Sequence, residues 1–151
     1  MEKNKLEKKF SQDLKADSKL WGMKLHNNPL SHQNTPGDYL VTRLGCVILM
    51  ECKQVTCDEN GMGRLAHKRL KQMHDMLSFE NKFPGFHKAY FVVAFYNGVL
   101  AKSDVYIIPV KVMYEEVTNH SMVSFNRIDM LSIFKEYRCA SGVLPIWAMT
   151  F

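Results

Sequence analysis

The chain has 151 residues, enough for one domain spanning 1–151 and hardly for two. Apolar residues make up 46% and charged ones 23%, with only 8 Gly and 5 Pro, which excludes a disordered or fibrous chain. Twenty Lys/Arg against fifteen Asp/Glu give +5, a balance that invites a polyanionic partner, nucleic acid first. The longest apolar run, Ala89 to Tyr96, falls far short of the ~20 residues of a membrane span. The opening MEKNKLEKKF lacks the apolar core of a secretory signal. A cytoplasmic setting is therefore expected, in a bacterium, an archaeon or a phage-infected host. Cys46, Cys52, Cys57 and Cys139 are expected to be reduced, and their spacing is not that of a zinc site.

In chain order, residues 3–17 predict a helix with Leu6, Phe10 and Leu14 as its apolar stripe and Glu7 at the stripe's edge. NNPLSHQNTPG (27–37) is a turn-forming loop. DYLVTRL and CVILMECK read as a β-hairpin closing at Leu44–Gly45. After the turn cluster CDENGMG, residues 64–79 predict a helix that buries Ala66, Leu70, Met73 and Leu77. Arg64, Lys68 and Lys71 share another face of it, and Arg69 lies on the margin. AYFVVAFY reads as a central strand, and Asp104 to Val112 as a further strand that Pro109 sends to an edge or ends early. Phe125 to Arg138 predict a helix with Ser124 as N-cap, followed by a tail whose apolar groups, Trp147 among them, pack back onto the body. This order implies an α/β domain with a mixed sheet and helices on both faces.

Chemistry concentrates between Pro36 and Lys53. Glu51 and Lys53 alternate to the same face of a strand whose preceding run, Val47 to Met50, is wholly apolar. Charges there are costly unless they serve each other or an ion. If the hairpin closes at Leu44–Gly45, Asp38 and Glu51 meet at its open end. Two such carboxylates repel unless a cation separates them, and hard oxygen donors suit Mg²⁺ or Mn²⁺. The bland alternative is an exposed salt-bridge cluster of little energetic weight.

Asp38-x₁₂-Glu51-x-Lys53 resembles the signature of the PD-(D/E)xK nuclease superfamily. A helix bearing Glu7, Asp38 opening a strand, Glu51 to Lys53 ending the next, a basic helix and a central apolar strand follow its αβββαβ core. Trp21-Gly22-Met23 supplies the start of the remaining strand. Within the superfamily, RLAHKRLKQM followed by KAYFVVAFYNGVL and VYIIPV is similar to RecU-type Holliday junction resolvases, especially short phage-encoded ones. The likeness is loose over 2–112 and best over 36–96.

The resemblance implies a restriction-endonuclease-like core: a central mixed β-sheet flanked by helices. It makes Asp38 and Glu51 metal ligands, adds the backbone carbonyl of Cys52, makes Lys53 the catalytic lysine, and gives Glu7 an additional acidic role. Arg69 stands where the family carries glutamine, with Gln72 one turn later as the other candidate for that work. Arg64, Lys68, Arg69, Lys71 and Gln72 are the expected DNA contacts. The activity implied is metal-dependent DNA hydrolysis by a homodimer acting on four-way junctions. A sequence-specific homing or restriction-like endonuclease, and a catalytically degenerate nucleic-acid-binding module, are the alternatives.

Overall fold

The structure is a computed structural model, and it describes residues 5–16, 21–25, 37–43, 45–66, 70–96, 104–119 and 124–139. Helix α1 (Lys5–Ala16) precedes three strands, β1 (Trp21–Lys24), β2 (Tyr39–Arg43) and β3 (Cys46–Thr56). After β4 (Arg64–Ala66) come α2 (Met73–Lys82), β5 (His87–Tyr96), β6 (Asp104–Pro109) and α3 (Val110–Asn119). The chain closes with β7 (Ser124–Asn126), α4 (Arg127–Ile133), a 3-10 turn (Lys135–Tyr137) and β8 (Arg138–Cys139).

Six strands form one mixed sheet in the order β1-β2-β3-β5-β6-β8, and β4 pairs with β7 in a separate ribbon. The β2–β3 hairpin sits where the sequence puts it, with Tyr39 opposite Met50 and Arg43 opposite Cys46. Gly45 takes φ +81 in its turn, a conformation that costs glycine nothing. β3 runs parallel to β5, and β5 runs antiparallel to β6.

The sheet is covered on both faces, so β3 and β5 read as continuous apolar runs rather than as alternation. One core joins Leu6, Phe10 and Leu14 of α1 to Val41, Ile48, Met50, Val92 and Val105. The other joins Leu49, Phe91, Val93 and Tyr106 to Met73 and Met76 of α2, Met113 of α3 and Met130 of α4. The four cysteines are free thiols. Among the described residues, no helix is long and apolar enough to cross a membrane.

Three expectations are corrected. The helix expected over 64–79 begins only at Met73, because Arg64–Ala66 is drawn into a ladder with Ser124–Asn126. The strand expected over 104–112 ends at Pro109, which has no N–H for a ladder; Val110, Met113 and Val117 then make the buried stripe of α3. The helix expected over 125–138 is shorter, Arg127–Ile133, and its N-cap is Asn126 rather than Ser124. Asn126 Oδ1 accepts from the Asp129 N–H at 2.8 Å and Asp129 Oδ2 accepts from the Asn126 N–H at 2.9 Å, a reciprocal capping box. The 27–36 loop, Pro36 and the tail beyond Cys139, with Trp147, lie outside the described residues.

Candidate active site

β2 and β3 are unequal in length, and that inequality builds the site. β2 begins at Tyr39, opposite Met50, so among the described residues β3 beyond Met50 has a free edge on that side while its other edge pairs with β5. Asp38 stands just before β2, with its N–H donating to Met50 O at 2.8 Å. Its carboxylate then does what the next ladder carbonyl would have done: Oδ2 accepts from the Cys52 N–H at 2.8 Å. The carbonyl of Cys52 leaves the strand on the same side as its N–H, toward this free edge. Gly37 is fitted closely here. A Cβ would lie 2.8 Å from Leu49 Cδ1 and 3.1 Å from Met50 O, so only glycine lets the chain turn into Asp38.

Glu51 and Lys53 point to the face that α2 covers. Lys53 Nζ lies 3.2 Å from Glu51 Oε1 and donates to Gln72 Oε1 at 3.5 Å. Glu51 is only 5% exposed. Burial, then the nearby Asp38 carboxylate, push its pKa up to about 7, against the pull of Lys53. Glu7 arrives from the opposite face. The N-terminus of α1 is held at the free half of β3 by the Leu6 N–H donating to Gln54 Oε1 at 3.0 Å. The Tyr39 hydroxyl donates to the Glu7 carbonyl at 3.3 Å. Burial and then Asp38 raise the Glu7 pKa, while Lys24 and Lys53 lower it. Three carboxylates thus crowd one end of the hairpin, countered by two ammonium groups.

Of the sequence-predicted residues, Asp38, Glu51, Cys52, Lys53 and Glu7 come together, and Gln72 joins them through Lys53. Lys68 and Arg69 lie outside the described residues. Arg64 and Lys71 do not share a helix face, because Arg64 is on β4, where its guanidinium donates to Ser124 Oγ at 2.7 Å, and Lys71 is an exposed residue before α2. Sequence reasoning missed Lys24, whose Nζ lies 3.9 Å from Glu7 Oε1. No sequence signal marks it, because the pairing of β1 on β2 that places Lys24 opposite Tyr39 is nonlocal.

Among the described residues, no group of three His, Cys, Asp or Glu side chains is gathered closely enough to form a metal cage. The donor set still fits a hard divalent cation. It offers two carboxylates and a strand-edge carbonyl, and Glu51 and Glu7 are raised first by burial and then by Asp38, the second of which a cation would relieve.

No family model and no curated protein sequence matches the chain. A solved structure that does match is Archaeoglobus fulgidus Hjc, a Holliday junction resolvase from an archaeal hyperthermophile. Identity is 12%, the TM-score is 0.54, and the match covers 91% of this chain and 93% of that one. The two chains share a fold. The likeness to Hjc spans nearly the whole length of both, so the mixed sheet and its flanking helices follow the fold of that structure.

Proposed function

We propose that this chain is a divalent-metal-dependent endonuclease that hydrolyses DNA phosphodiester bonds, with four-way junctions as its substrate. The observation that carries the reading is the meeting of Asp38, Glu51 and Lys53 at the free edge of β3, with Asp38 hydrogen-bonded to the Cys52 N–H and Lys53 3.2 Å from Glu51. The Hjc-like fold and the net charge of +5 support it.

Asp38, Glu51 and the Cys52 carbonyl are the residues that would hold Mg²⁺ or Mn²⁺. When bound, such an ion supplies charge neutralisation at the scissile phosphate and acidifies a water. The chain's own groups do the rest. Lys53, held between Glu51 and the Gln72 amide oxygen, presents N–H donors to the phosphate oxygen that gains charge. Glu7 keeps the local field negative, which favours cation entry. Paired as a homodimer about a two-fold axis, two such sites would nick opposing strands of a junction. Arg64, Lys68, Arg69 and Lys71 would contribute phosphate contacts, so binding would weaken steeply with salt.

The test is a panel of end-labelled four-way junction, linear duplex and flap DNAs, each with Mg²⁺, with Mn²⁺ and with EDTA. Metal-dependent cutting of the junction, lost in Asp38→Asn and Lys53→Ala, is the expected result. Cutting of plain duplex at one sequence would replace the junction by a sequence as the target. Binding without cutting in any metal would leave a nucleic-acid-binding module with an inactive site.

A further inference from the structure

Among the described residues β1 is an edge strand of the six-stranded sheet, and its two faces do different things. Lys24 points to the α1 side, beside Glu7, and Gly22 packs against Leu14 of α1. Trp21 and Met23 point the other way. The register fixes that side. Trp21 lies opposite Thr42, and Thr42 opposite Val47, which shares its face of β3 with Leu49, Glu51 and Lys53. Trp21 and Met23 therefore stand on the same sheet face as Glu51 and Lys53. The Trp21 side chain is open: the residue is 59% exposed, and Met23 beside it is 47% exposed. The backbone under the indole is anchored, because the Thr42 hydroxyl donates to Trp21 O at 3.5 Å.

An exposed indole on an anchored strand is an apolar platform that water solvates poorly. Strand spacings put Trp21 about four residues along and two strands across from Glu51, roughly 16 Å away. A DNA strand lying along the sheet covers that span in a few nucleotides. The chain's charge of +5 favours a polyanion over an apolar protein partner. We propose that Trp21 stacks on a DNA base left unstacked a few nucleotides from the scissile phosphate. The indole then reads a break in duplex stacking rather than a sequence. This rests on the nuclease reading for its register along the strand, but not for the stacking itself.

The test uses the full chain carrying Asp38→Asn, so that binding is read without cleavage, with Trp147→Phe leaving Trp21 as the single tryptophan, excited selectively over the tyrosines. Titration with a four-way junction is expected to quench Trp21, and a closed, fully paired hairpin duplex to quench it far less. In the Asp38→Asn background, Trp21→Leu is expected to weaken junction binding at least tenfold and duplex binding less than twofold, with Trp21→Phe restoring most of the loss. Junction binding by Trp21→Leu as tight as by Trp21→Phe, or equal losses on both DNAs, overturns the proposal. So does a change in sedimentation mass on Trp21→Leu, which would make the patch a contact between copies. A wild-type protein that cuts no DNA but passes these tests refutes the nuclease reading alone. One that cuts junctions without Trp21 dependence refutes this inference alone.

Discussion

Asp38 Oδ2 accepts the Cys52 N–H at 2.8 Å, so one carboxylate both closes the β2–β3 ladder and faces the candidate metal position. The two roles separate by substitution. Asp38→Asn keeps an acceptor oxygen and loses the charge. It is expected to melt within a few degrees of wild type and to lose metal-dependent cleavage by at least 100-fold. Asp38→Ala leaves the Cys52 N–H without its partner, at a cost of ~1–3 kcal/mol. Thermal melts of the two variants beside cleavage assays check this. Equal melting of both would show that the hydrogen bond contributes nothing to the fold.

Lys53 is placed by two acceptors, Glu51 at 3.2 Å and Gln72 at 3.5 Å. Lys53→Ala removes the donor for developing charge, and an effect of ~10²–10³ on the single-turnover rate is expected. Gln72→Ala leaves the ammonium in place but less constrained, so a smaller loss, about tenfold or less, is expected. The double variant should be no worse than Lys53→Ala alone, because Gln72 acts through Lys53. Additive losses on the logarithmic scale would give Gln72 a direct role.

Glu51 makes metal-free stability depend on pH. Its folded pKa is raised from 4.5 to about 7, first by burial and then by Asp38. A carboxyl that binds its proton more tightly when folded stabilises the protonated form. That contribution is fully present below about 4.5 and is lost as pH rises through about 7. In EDTA, wild type should therefore fall in Tm relative to Glu51→Gln between pH 5 and pH 8, since the amide stays neutral throughout. Added Mg²⁺ should restore wild type more at pH 8 than at pH 5.5, because only the carboxylate is a ligand. A difference between the two proteins that stays flat across this range would remove Glu51 from the cluster's charge balance.

The parts of this site that could be read from the sequence are the local ones. A tight turn and period-two alternation suffice to bring Asp38, Glu51 and Lys53 together, and the stripe Leu6, Phe10, Leu14 suffices for α1. Nonlocal pairing was not legible. The segment from Arg64 has helical spacing, yet Arg64–Ala66 is recruited by Ser124–Asn126, some sixty residues away in sequence. The approach of Glu7 also depends on a distant contact, the Gln54 side chain holding the start of α1, and only the family resemblance pointed to it. α3 was hidden because Val110, Val112 and Val117 are β-branched and follow an apolar strand without a polar break.

Asp104 supports the far end of the sheet. It is 6% exposed and holds two guanidinium groups, Arg127 at 2.9 Å and Arg138 at 2.6 Å. Arg127 also donates to Gly61 O at 3.3 Å, which ties α4 to the turn that follows β3. Asp104→Asn keeps the volume and loses the charge. Both arginines are partly open to water, so a loss of ~1–3 kcal/mol is expected rather than the full penalty of a buried broken pair. Urea denaturation at low and high salt checks it.

Gly37 carries the last prediction. A methyl group there would sit 2.8 Å from Leu49 Cδ1 and 3.0 Å from its Cγ, and Leu49 is fully buried in the core beneath α2. Gly37→Ala must therefore displace either Leu49 or the backbone that carries Asp38. Overpacking of this kind costs ~1–3 kcal/mol. Because Asp38 is the adjoining residue, cleavage should fall at least tenfold even where the protein remains folded. Leu49→Ala makes room for the added methyl. The double variant Gly37→Ala/Leu49→Ala should thus lose less stability than the two single losses summed, and should recover part of the activity that Gly37→Ala removes. If the two losses simply add, the methyl is accommodated elsewhere and the fit of Gly37 does not govern where Asp38 points.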